Sequence, residues 1–179
     1  MLLGLAADAW IAIGTWVLVI VTAIFMWRQT QVAKEAARLQ LFVSLTQEWQ
    51  GLTMRSIRKQ FALALLKAED GKPAGGIELD ETVLEFFESL GYLTKTGLLD
   101  ERIVWNYFSF AIMGYCLAAK PVILGLIHSE NDEVIYGEFG WLNRRMLQLD
   151  QELRGKSEKE IQWPSEKVKS FLQSEVDMF

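Results

Sequence analysis

The chain has 179 residues, of which 18 are Lys or Arg and 23 Asp or Glu, giving a net charge of −5, and 51% of its residues are hydrophobic. Such an acidic balance opposes a polyanion, so no direct contact with nucleic acid is expected. The single cysteine, Cys116, excludes an internal disulfide and fits a reducing compartment.

The first predicted element is an anchor. Trp10–Trp27, WIAIGTWVLVIVTAIFMW, holds no charged residue and is followed at once by Arg28. About 18 residues at about 1.5 Å each reach about 27 Å, close to the ~30 Å hydrocarbon core of a bilayer. Ile11, Ile13, Val17, Leu18, Val19, Ile20, Val21, Ile24 and Phe25 are strongly apolar. At ~0.3–0.6 kcal/mol each they contribute roughly 3–5 kcal/mol toward insertion. Trp10 and Trp27 stand at the ends of the run, where an amphipathic ring meets the headgroups, while Trp16 lies inside it against lipid or a neighbouring helix. A soluble core helix of this length would keep a polar face, and Ile11–Met26 offers only Gly14, Thr15 and Thr22. A cleavable signal is not expected either, because a basic leader segment and an A-x-A site are missing and the apolar run is too long.

The flanks set an expected orientation. Asp8 precedes the span, whereas Arg28, Lys34 and Arg38 follow it with Glu35 among them. The positive-inside rule then places the N-terminus outside a bacterial inner membrane and the C-terminal body in the cytoplasm. Three segments are expected: residues 1–27 with the transmembrane helix, a juxtamembrane stalk at 28–50, and a cytoplasmic helical domain at 51–179. Their net charges are −1, +1 and −5, so the membrane-proximal stretch suits anionic lipid.

No proline or glycine lies between Gly14 and Gly51, so the anchor is expected to continue as one helix through the stalk. Val32, Ala36, Leu39 and Val43 recur at spacings of four, three and four, an a/d-like seam. It would close either on the domain's own helices or on a second copy of the chain. A second helix is predicted over Met54–Lys67, with Met54, Ile57, Phe61 and Leu65 inward and Arg55, Arg58 and Lys59 outward. The loop EDGKPAGGIE ends it. Asp80 should cap a helix through Lys95 with Val83, Phe87, Leu90 and Thr94 on one stripe, and Gly97 should supply its left-handed end.

Asp100 is the expected cap of IVWNYFSFAIMGYCLAA, an apolar segment long enough to suggest a second span. Asn106, Ser109 and its aromatic rings favour a central core helix instead. Lys120-Pro121 interrupts it, and Val122–His128 adds one or two turns. Asp132 is expected to start a long helix to Arg154 with Ile135, Phe139, Leu142, Met146, Leu149 and Leu153 on one face, ended by Gly155. Pro164 should open a last amphipathic helix with Val168, Phe171 and Leu172 inward. No strand pattern occurs, and the fold class is all-α: one transmembrane helix continuing into a helical bundle.

Chemistry is sparse. His128 is the only histidine, so Ser–His–Asp or Cys–His catalysis could form only around it, and a solvated or capping role at its helix end suffices. Zinc sites need three or four ligands, and Cys116 lies in an apolar run. The acidic groups Glu85/Glu88, Asp100/Glu101 and Glu130/Asp132/Glu133 fit exposed faces or helix first turns. No phosphate-binding glycine motif is present. Helical nucleases of the HEPN class carry an Arg–x4–6–His motif, and Pro-Val-Ile at 121–123 occupies the required arginine positions. No catalytic, cofactor-binding or metal residue is therefore assigned, and no cofactor is expected. Trp105, Tyr107, Phe108, Phe110, Tyr115, Trp141 and Trp163 exceed what a small body usually carries, so some are expected at an oligomer or partner surface while most pack the core.

The stretch FFESLGYLTKTGLLDERIVWNYF (Phe86–Phe108), with Tyr115, Pro121, Tyr136 and FGWLNRR (Phe139–Arg145), resembles an uncharacterised bacterial family. Its members are small proteins with one N-terminal transmembrane helix and a helical cytoplasmic domain of unknown function. The resemblance implies fold and topology, and no catalytic residue. In size and layout alone the chain is also similar to the membrane-pore accessory protein of type VI-B CRISPR systems, which forms a ring with a divergent HEPN-like body.

The leading expectation is a non-enzymatic single-pass inner-membrane protein whose cytoplasmic domain self-associates, forming or gating a pore in phage defence. The alternatives are a membrane-tethered enzyme, a degenerate nuclease using Arg144 and Arg145 with nearby acids, and a monomeric adaptor for a cytoplasmic protein partner.

Overall fold

A computed structural model describes residues 2–69, 80–132, 134–155 and 157–178. The expected loop EDGKPAGGIE falls almost wholly outside the described residues, as does Glu133. Every regular element among the described residues is helical, with no strand. By contact the chain divides into two compact units, Met1–Leu45 and Thr46–Phe179.

The first unit lies on helix α1, which runs unbroken over Leu2–Gln50. The absence of helix breakers after Gly14 explains its length. Thr22 donates its hydroxyl to the Leu18 carbonyl at 2.8 Å, and Thr30 donates to Met26 at 2.9 Å. Each hydroxyl thus satisfies itself on its own helix and leaves the outer surface apolar. Helix α1 ends before Gly51, in a turn where a side chain would press on the Glu48 and Gln47 carbonyls, 3.2 and 3.3 Å from the Cβ position.

The second unit contains the end of α1 and α2 (Leu52–Glu69), α3 (Thr82–Lys95), α4 (Glu101–Ala118), α5 (Lys120–Glu130), α6 (Gly137–Arg154), α7 (Glu158–Ile161) and α8 (Ser165–Val176). Helix α3 packs on α6, α2 on α8, and α4 against both α6 and α8. The start and stop chemistry is as the sequence reading has it for several of them. Asp100 accepts from the amides of Arg102 and Ile103 at 2.9 and 3.1 Å, and Asp80 accepts from Thr82. Gly97 and Gly155 take left-handed φ of 73° and 63° just past α3 and α6.

The core is aromatic. Trp49 stacks on Phe86 with centroids 4.9 Å apart and meets Phe87 at 5.0 Å. Phe108 and Tyr115 approach it edge-on at 6.2 Å, and Phe87 stacks on Phe139 at 5.1 Å. Such pairs each contribute ~0.5–1.5 kcal/mol beyond the area they bury. Two glycines permit close packing: a Cβ on Gly91 would lie 2.5 Å from the Glu138 carbonyl oxygen, and one on Gly114 would lie 2.6 Å from the Phe171 ring.

Helix α4 buries Val104, Phe108, Ile112 and Tyr115, in keeping with a core helix. It bends by 58° into α5 at Lys120–Pro121, and the pair together has the length and composition of a broken span. Four expectations need correction. Helix α6 begins at Gly137 and not at Asp132, whose carboxylate is occupied by the Val134 amide at 2.9 Å in a preceding turn, with Tyr136 left-handed at φ 55°. Its apolar stripe accordingly buries Phe139, Leu142, Met146 and Leu149, while Ile135 precedes the helix and Leu153 is exposed. Glu88 is not a solvated acid: it accepts from the Phe139 and Glu138 amides at 2.7 and 3.2 Å, capping α6 from across the helix pair. Arg58, expected outward, is buried.

Candidate functional site

Arg58 is buried because its charge is matched. On α2 it follows Met54 by four residues, one turn along the inward face. Its Nε and Nη2 donate to the two oxygens of Glu175 at 2.8 and 2.7 Å, a bidentate fork. The guanidinium lies 4.0 Å from the Trp49 ring centroid, and Nη1 donates to the Trp49 carbonyl at 3.4 Å. Tyr115 completes the group by donating its hydroxyl to Glu175 Oε2 at 2.8 Å. Burial, then the Glu175 charge, hold the Tyr115 hydroxyl far above its ordinary range. Four elements thus meet at one buried ion pair: the end of α1, α2, α4 and α8.

The chemistry of this cluster is structural. Both carboxylate oxygens and the guanidinium are engaged, so no group is poised to take or give a proton. The sequence signal that could have found it is an arginine on the apolar spacing of α2 together with a glutamate three and four residues after Leu172 and Phe171 on the inward face of α8.

The other candidates separate. His128 is exposed near the end of α5. Burial pushes the Cys116 thiol up to about 11, opposed by the charges of Lys120 and Arg144, which leaves it protonated and unreactive at neutral pH. Arg145 is bound by Glu101 at 2.8 Å and by Glu152 at 3.2 Å, and the Glu101 contact first of all raises its pKa. The arginines that a degenerate nuclease would use are therefore split, because Arg145 is held in surface ion pairs while Arg144 has no hydrogen-bond or ion-pair partner among the described residues. Asp150 is buried and accepts from the Trp105 indole at 2.9 Å, a second polar anchor not anticipated in the sequence. Among the described residues no group of three or more His, Cys, Asp or Glu is placed to hold a metal.

Of the aromatic surplus, Phe108 and Tyr115 are buried, and Trp105, Trp141 and Trp163 are half-buried. Tyr107 and Phe110 remain exposed on α4 at 63% and 56%. On α1 the anchor residues Trp10, Trp16, Trp27 and Arg28 are all exposed, and so are the seam residues Val32, Ala36, Leu39 and Val43. The helix over Ala12–Gln50 contains a window with mean hydropathy 1.5 and none of it buried, long and apolar enough to cross a membrane. A signal sequence near the N-terminus also meets that measure of length and apolar composition.

The chain matches the family described as Domain of unknown function (DUF4760) over residues 3–146, and it belongs to that family. No curated protein and no solved structure matches it.

Proposed function

We propose that the chain is a non-enzymatic single-pass protein of the bacterial inner membrane, N-terminus outside, whose helical cytoplasmic domain self-associates. The observation that carries this reading is α1 itself. Apolar side chains from Ile13 to Trp27 stand at half or more of full exposure on one unbroken helix, a surface that water does not tolerate at this size. Lipid satisfies it, and the backbone polar groups are already paired within the helix.

The seam supports self-association. Val32, Leu39 and Val43 are 66, 59 and 49% exposed at heptad-like spacing, the arrangement that parallel helices use to interlock. Its flanking charges are few, with Lys34, Glu35 and Arg38 between the seam positions. Several copies joined there would bring their anchors together, and Gly14 leaves open space beside its backbone for close helix contact. Pore formation or gating in phage defence is the sharpest form of this proposal, motivated by the anchor and the apolar seam on one continuous helix.

Conductance measured in liposomes tests the pore. Currents above the lipid-only control that vanish with Leu39→Glu would support it. Currents equal to that control would remove the pore and leave the anchor and the assembly to be tested separately.

A further inference from the structure

A cavity of about 560 Å³ opens between α4, α6 and the segment around α7, far from the Arg58–Glu175 cluster in chemistry. Its volume falls within the roughly 300–1,000 Å³ of small-molecule sites. Most of the wall is apolar, supplied by Met113, Leu117, Leu147 and Trp163. The polar lining is Asn143, Arg144, Gln148 and Gln151 of α6 together with Gln162. Arg144 has no protein partner among the described residues, and Asn143 Oδ1 is sealed from solvent without a hydrogen bond. A second groove, of about 350 Å³, is lined by Leu65, Pro121, Val122, Val168 and Leu172 and shares Leu117 and Trp163 with the first.

The two hollows adjoin at Leu117 and Trp163 and form one apolar tract, with Arg144 lining the first hollow and the Lys167 ammonium 4.2 Å from the shared Trp163 ring. We propose that this tract binds an acidic amphiphile with one long acyl chain, a free fatty acid, its carboxylate on Arg144 and its chain along Leu117 and Trp163. A guanidinium takes a carboxylate in a two-pronged fork, and the aliphatic wall receives the methylene chain by the ordinary gain of burying apolar surface. A nucleotide fits poorly, because its ribose would face a mostly aliphatic wall. The inference is independent of self-association and of the anchor's orientation.

The full chain in lipid nanodiscs, exposed to a photoreactive palmitate analogue, tests it. Labelling is expected on the peptides carrying Met113–Leu117 and Ile161–Trp163. It should be competed by palmitate and at least tenfold less well by hexadecanol, which lacks the charge. Arg144→Ala should weaken palmitate competition about tenfold, with Arg144→Lys between the two and the thermal midpoint unchanged for both. Leu147→Trp, which fills the cavity and keeps the arginine, should abolish the labelling. Labelling confined to residues 10–27, equal competition by hexadecanol, or an Arg144→Ala chain that binds as before would each overturn the proposal. So would equal labelling of the same peptides by a photoreactive phospholipid of the nanodisc, which would assign the tract to the bilayer.

Discussion

Arg58 shows how one residue ties the helical body together. Removing one partner of a buried ion pair leaves the other charge desolvated, at a cost of about 3–5 kcal/mol, whereas replacing both with apolar groups is often neutral. Glu175→Gln should therefore destabilise the body severely in chemical denaturation, and Arg58→Met combined with Glu175→Leu should recover part of that loss, the rest being the buried Tyr115 hydroxyl left without its acceptor. Equal losses in the single and double variants would show that the pair does not act as a unit. Cys116 gives a second check. Its thiol is raised from 9.0 to about 11 by burial, so at pH 8 native Cys116 should alkylate about 100-fold more slowly than in the unfolded chain. The sign of the linkage follows. A raised folded pKa favours the protonated native state, so this contribution is complete below pH 9 and is lost as pH rises through about 11. Denaturation midpoints should fall across that window, less steeply in Cys116→Ala.

At the scale of elements, helix ends and helix contacts obey different rules. Asp100 satisfies two amides at the start of α4 from its own chain neighbourhood, and Asp100→Ala should cost about 1 kcal/mol in the same denaturation assay. Gly91 acts between elements: the Glu138 backbone lies 2.5 Å from where its Cβ would be. Gly91→Ala must push α3 off α6, a cost of about 1–3 kcal/mol, and because α6 is capped by Glu88 of α3 the shift should also weaken that cap. These cases show what was legible in the sequence. Asp80, Gly97, Asp100 and Gly155 could be read because a cap or a left-handed turn is specified within a few residues. The continuity of α1 follows from the lack of helix breakers between Gly14 and Gly51, and the stripe Val83, Phe87, Leu90 and Thr94 from periodicity. The Arg58–Glu175 pair, 117 positions apart, and the Glu88 cap on α6 depend on which faces meet, and pattern within a segment carries no information about its partner. The late start of α6 has the same cause, since the Asp132 signal was spent on a local turn and the working cap came from another helix.

For the whole molecule, the proposed membrane location rests on α1 and the proposed assembly on the apolar seam that α1 exposes. Leu18, 67% exposed near the middle of the apolar run, is the position where a charge should be least tolerated. Leu18→Arg should cost about 3 kcal/mol of insertion on the translocon scale and shift the chain from the membrane fraction toward the soluble one after an alkaline carbonate wash. Retention of the wild-type chain in that wash is the corresponding positive result. The basic membrane-proximal stretch, with Arg28, Lys34 and Arg38, complements an anionic inner leaflet in the proposed orientation.

The central claim is tested most directly by the protein mass of the detergent-solubilised particle, measured by light scattering with the detergent contribution subtracted. The account predicts a defined multiple of 20.5 kDa, reduced to one chain by Leu39→Glu in the seam. A wild-type particle of a single chain would contradict it, and would leave a tethered domain in place of an assembly.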